Sequence, residues 1–68
     1  MNKMQYAINK ILSFATKQQR LNYQSFIQDE SIKQINICFQ PIDINVINYR
    51  IIDKICAEIW HFLSKKLN

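Results

Sequence analysis

The chain contains no glycine. Every phosphate-cradling loop that depends on glycine is thereby excluded, P-loop and dinucleotide fingerprints among them. Turns and helix C-caps that need positive φ must fall to another residue, such as Asn22, or be avoided altogether. That favours helices joined by short, plain turns. Proline occurs once; Pro41 cannot continue an earlier element and holds Gln40 in extended geometry. The two cysteines, Cys38 and Cys56, show neither a CxxC pair nor metal-ligand spacing. Both lie in apolar stretches and read as buried, reduced thiols. The N-terminus lacks the apolar run of about 7–15 residues that marks a signal peptide. No segment approaches the ~20 apolar residues needed to cross a bilayer. A cytoplasmic location is the expectation.

What is present is apolar. At 68 residues and 49% hydrophobic content, residues 1–68 read as a single small domain near the lower limit for a self-sufficient core. A chain this small and this rich in isoleucine struggles to cover all its apolar side chains, so a second copy or a protein partner is expected. The net charge of +4 and pI near 9.3 are compatible with nucleic acid, an acidic partner or a membrane surface. They equally suit lysines that keep such a chain in solution.

The strongest pattern is Asp43 to Lys66. Ile44, Ile47, Ile51, Ile52, Ile55, Ile59, Phe62 and Leu63 recur at three-and-four spacing, which predicts one long amphipathic helix. Asp43 stands at the N-cap, and Lys65 and Lys66 suit the negative end of the helix dipole. Asn48 falls within the apolar face, where its amide needs a partner near Pro41 or on a symmetry mate. A first helix is predicted over residues 2 to about 19, capped by Asn2. Its apolar face is Met4, Ala7, Ile8, Ile11, Leu12 and Ala15, with Phe14 at the edge.

Residues 20–40 carry a period-two signal. Gln34 to Gln40 alternates and is rich in β-branched and aromatic residues, and Tyr23 to Ile27 alternates less cleanly. The polar stretch Gln28-Asp29-Glu30-Ser31 fits a turn between them. The expected fold class is therefore α+β, a small α-β-β-α domain. The alternative is an all-α three-helix bundle in which Asp29 or Ser31 caps a helix whose residues Ile32, Ile35 and Phe39 face inward. Against it, Ile37 and Cys38 would point away from that face, and the apolar residues of 21–39 scatter around a helical wheel.

The inventory for catalysis is thin. His61 is the one histidine, and Asp53 precedes it by eight residues on the same helix, about 12 Å away. No nucleophile–base pair, paired carboxylates or metal-ligand spacing appears, so no enzyme, cofactor, metal or small-molecule substrate is expected. The apolar arc of the last helix, however, is wider than one packed layer needs. Its surplus strip, Tyr49, Cys56, Trp60 and Leu67, is the expected partner-binding surface of an interaction module: an adaptor, regulator or inhibitor. The rival is a small nucleic-acid-binding regulator that tracks phosphates with Lys3, Lys10, Lys17 and Arg20 along the first helix.

Overall fold

The computed structural model describes residues 2–67, and among them it is all helix: α1 (Lys3–Phe14), α2 (Lys17–Phe39), a short 3-10 turn (Ile44–Val46) and α3 (Tyr49–Lys66). This overturns the α+β expectation. The two segments expected as strands, and the turn between them, lie inside the single 23-residue helix α2. The architecture is the three-helix alternative, but its middle helix is capped by Thr16 and not by Asp29 or Ser31, both of which lie inside α2.

Each helix starts at a side-chain cap legible in the sequence. Asn2 accepts from the Gln5 amide at 2.7 Å, the role expected of it. Thr16 starts α2 with a reciprocal capping box: its Oγ1 accepts from the Gln19 amide, and the Gln19 side chain accepts from the Thr16 amide. The first helix therefore stops at Phe14, not near residue 19. Ala15 and Thr16 are both extended and turn the chain back in two residues. Asn48 starts α3 by accepting from the Ile51 amide at 2.9 Å. It is thus a solvent-exposed cap rather than a buried amide, and the last helix is capped five residues later than expected, at Asn48 instead of Asp43. Asp43 instead caps the 3-10 turn through the Asn45 amide. Pro41 follows the last residues of α2, and Gln40 is extended as required.

The three helices surround one core. Ala7, Ile8 and Ile11 of α1 meet Ile27, Ile35 and Phe39 of α2, and Ile52, Cys56, Ile59 and Leu63 of α3. On α2 the buried residues Ile27, Ser31, Ile35 and Phe39 follow one another at four-residue steps, the spacing of a single helical face. Ser31 is the one polar residue among the buried set, and its small side chain keeps that line narrow. The Glu30–Lys66 ion pair, 3.7 Å, and the nearness of Cys38 to Glu58 fit one antiparallel register of α2 against α3. The exposed surface totals 4663 Å², close to the ~4500 Å² that scaling gives a monomeric chain of this mass. Among the described residues no helix is long and apolar enough to cross a membrane.

Candidate interaction surface

The strip expected to bind a partner lies along the junction of α1 and α3. Cys56 is buried, and its thiol lies 3.6 Å from the Ala7 carbonyl. Burial first, and the Asp53 charge second, push that thiol from its ordinary 9.0 up to about 11. Trp60 and Leu67 are partly buried against the core. Tyr49, 47% exposed, stands edge-on to Tyr6 with ring centroids 4.7 Å apart. Lys3 lies over its ring. The Tyr6 hydroxyl donates to Asp53 Oδ1 at 2.6 Å, with Lys10 Nζ 3.9 Å from the same oxygen. Much of the cover this strip needs is therefore supplied by α1.

The opposite flank of α3 is open to a similar degree, with Ile51 and Phe62 each 44% exposed against 47% for Tyr49. At 100° per residue, Ile51, Ile55, Glu58, Phe62 and Lys66 fall within about 80° of the α3 circumference. On α2 the same holds for Tyr23, Phe26, Glu30, Lys33 and Ile37. The Glu30–Lys66 pair joins the two lines at one end; farther along, Cys38 is the residue near Glu58, while Lys33 and Ile37, about 200° round α2 from the buried Ile35, face outward. On these outer faces Ile37 is 55% exposed, Ile51 and Phe62 44% each, and Tyr23 and Phe26 40% each. Lys66 Nζ sits 4.6 Å from the Phe62 ring centroid. The register explains the exposure of Tyr23 and Phe26. With Lys66 level with Glu30, the first turns of α2 run past the end of α3. Nine of the ten residues 17–26 are exposed and none is buried.

Cys38 belongs to this side too. It is exposed rather than buried as expected, because its apolar stretch is helical and the buried line of α2 passes through Ile35 and Phe39 instead. Partial burial and the Glu58 charge still raise its thiol.

Charge is divided unevenly between these surfaces. Residues 1–28 contain Lys3, Lys10, Lys17 and Arg20 and no acidic residue, so they hold the whole net charge of +4. The four cations do not form a stripe on one helix, since α1 ends before Lys17. Lys3 donates to the Asn45 carbonyl at 3.1 Å and Lys10 approaches Asp53. Lys17 and Arg20 stand exposed in the first turn of α2.

Two other places were open to chemistry. An open cleft of about 450 Å³ lies beside the α2–α3 connection, lined by Met4, Ile35, Phe39, Pro41, Ile42 and Ile44, with Asn36, Gln40 and Asp43 at its polar edge. Asp43 is already engaged by Asn45, so few polar groups converge on it. His61 is exposed on α3, and Asp53 is turned toward α1. No group of three or more His, Cys, Asp or Glu side chains that could hold a metal ion occurs among the described residues. Compared with family models, with curated proteins and with solved structures, the chain finds no match.

Proposed function

We propose that this chain is a small non-enzymatic protein-interaction module, and that it docks through apolar side chains left exposed on the outer faces of α2 and α3. One observation carries the reading: five large apolar side chains, Tyr23, Phe26, Ile37, Ile51 and Phe62, stand open on the outer faces of α2 and α3. Scattered exposed apolar residues are ordinary, but a run of them on one face is the mark of a surface that meets another molecule. Aromatic anchors in such a run are the usual centres of binding energy. The docking surface proposed here lies on the flank of the C-terminal helix away from Cys56 and Trp60, because Cys56 is buried and Trp60 partly buried against the core.

The test separates folding from docking. Side chains that serve only a partner can be made polar without loss of fold. A chain carrying Tyr23→Gln, Phe26→Gln and Ile37→Gln is expected to unfold within a few degrees of the parent by circular dichroism. A large loss of thermal stability would show that these residues serve the core and would end the docking reading.

A second reading has one observation in its favour. The acid-free stretch 1–28 gives the α1 side of the molecule an excess of cations, which suits phosphate contacts by Lys3, Lys10, Lys17 and Arg20. Binding of a 20-base-pair duplex should then weaken steeply between low and physiological salt. Absence of binding at low salt removes it.

A further inference from the structure

The outer side of α3 carries cations that the docking reading leaves unused. At 100° per residue, Arg50, Lys54, His61 and Lys65 fall within about 60° of one another, and all four are exposed. We propose that this ridge, with the neighbouring rim of α1, binds single-stranded nucleic acid. The proposal rests on the second reading above, that the basic side of the molecule meets nucleic acid. It adds the face, the α3 cations and the single-stranded form.

The ridge faces away from the core. Its centre lies about 180° round the helix from the buried line of Ile52, Cys56, Ile59 and Leu63. Among the described residues, Arg50, Lys54 and Lys65 make no ion pair. Toward α1 the surface continues through Asp53, whose carboxylate is met by Lys10 and by the Tyr6 hydroxyl, to Lys3 over the Tyr49 ring. Three acids border it: Asp53 itself, Glu58 about 20° round from Lys65, and Asp43, which caps the turn whose Asn45 carbonyl takes the Lys3 ammonium. Five cations, Lys3, Lys10, Arg50, Lys54 and Lys65, outnumber them.

A surface of unpaired cations attracts a polyanion. The spacing suits a row of phosphates. Arg50 and Lys54 stand about 6 Å apart along the axis, His61 and Lys65 likewise, and the whole ridge runs about 22 Å. That length takes several nucleotides. Aromatic rings lie beside it: Tyr49 is about half exposed, with Tyr6 edge-on to it. Unpaired bases stack on such rings, and a guanidinium such as that of Arg50 adds to the attraction.

Other polyanions use less of this surface. A duplex keeps its bases stacked on one another and leaves the rings without a role. Reading its base edges calls on asparagine and glutamine as well as arginine, and between Lys54 and Lys65 the ridge holds only Ala57 and His61. An anionic membrane calls for large apolar side chains set among the cations, where the ridge has the single methyl of Ala57. An acidic protein meets the charges but brings no bases to Tyr49.

Fluorescence anisotropy on the full chain tests the assignment, with a labelled oligothymidine of about 20 nucleotides set against a duplex of the same length. At low salt the single strand is expected to bind at least fivefold tighter. With about four phosphate contacts, its log affinity should fall against log salt with a slope near −3. Arg50→Glu and Lys54→Glu, at exposed sites, should each weaken binding about tenfold. Lys33→Glu, the same charge change on the outer face of α2, should cost no more than about twofold. Tyr49→Leu keeps an apolar side chain against Tyr6 and removes the stacking ring, so it should cost about fivefold at an unchanged salt slope. A duplex bound as tightly as the strand overturns the single-stranded form. Equal losses from Lys33→Glu and Lys54→Glu overturn the face, and displacement of the strand by polyglutamate of equal charge overturns nucleic acid as the occupant. Duplex binding indifferent to Arg50→Glu and Lys54→Glu sinks this proposal and leaves the second reading standing. No binding of either nucleic acid at low salt ends both.

Discussion

Tyr6 Oη donates to Asp53 Oδ1 across 2.6 Å, although 47 residues of chain separate them. The bond ties α1 to α3 on the side away from the seam. Its acceptor is a carboxylate oxygen, and hydrogen bonds to carboxylates are shorter and stronger than those between neutral groups. Tyr6→Phe keeps the ring against Tyr49 and removes only the hydroxyl. A loss of about 1–2 kcal/mol is expected, which scaling converts to roughly 4–8 °C per kcal/mol in a domain of this size. Calorimetry checks it, and an unchanged midpoint would mean the bond adds nothing net.

Cys56 and Cys38 should part company in their chemistry. Cys56 is fully buried, with its thiol pushed up to about 11, and the thiolate is the reactive form. Native-state alkylation at pH 8, followed by mass spectrometry, should modify Cys38 and spare Cys56. In urea both should react at similar rates.

The same shift predicts how stability depends on pH. Unfolded, the Cys56 thiol returns to its ordinary 9.0, while folded it keeps its proton to about 11. Between those values the native chain binds more protons than the unfolded one, so unfolding free energy falls as pH rises. The stabilising contribution is whole below pH 9 and is lost across the window up to about 11. Tyr6, raised by its bond to Asp53 and then by burial, adds to the same decline above pH 10. Urea melts at pH 8, 9.5 and 10.5 should show it, and Cys56→Ala should flatten part of it.

Ser31 is buried, and its Oγ has no hydrogen-bond partner. A buried hydroxyl without a partner is a cost, and removing it leaves a methyl group of nearly the same shape. Ser31→Ala is expected to stabilise the chain by about 1 kcal/mol. Ile35→Ala, one turn along the same buried line, should instead cost about 2–5 kcal/mol. Denaturant titration of the two variants gives the contrast directly.

Thr16→Ala removes the hydroxyl half of the capping box that starts α2. The expected cost is about 1 kcal/mol. Because residues 17–26 have little tertiary cover, the loss should be local. Hydrogen exchange should quicken in the first turns of α2 well before it does at Ile35.

The ends of the fold were legible because α1 and α3 are each amphipathic over most of their length. The face Met4, Ala7, Ile8, Ile11, Leu12 and Ala15 is the one that packs inward, and Asn2 caps as expected. The middle was misread for a physical reason. Apolar residues of 21–39 do scatter around the helical wheel, and Ile37 and Cys38 do point away from the core. A rule that expects one apolar stripe per helix takes such scatter as evidence for strands. Here part of α2's apolar content stays outside the core, so the scatter marks exposure and not a different backbone. The signal that could have corrected it was Thr16-Lys17-Gln18-Gln19, a capping-box spacing that starts a helix where the first was expected to continue. The width of α3's apolar arc was also read from sequence. Which flank of it α1 would cover depends on tertiary packing, and no periodicity encodes that.

Among the described residues no backbone φ is positive, so the fold nowhere asks for the residue type that the sequence omits. The consequence falls on the denatured ensemble. Glycine widens the set of shapes a free chain can explore, and exchanging one for alanine at a tolerant site is worth about 0.4–1 kcal/mol through that state alone. A molecule with none begins its collapse from a narrower range of disorder. Some of its resistance to melting thus resides in what the loose polymer cannot do, where no inspection of native contacts would find it.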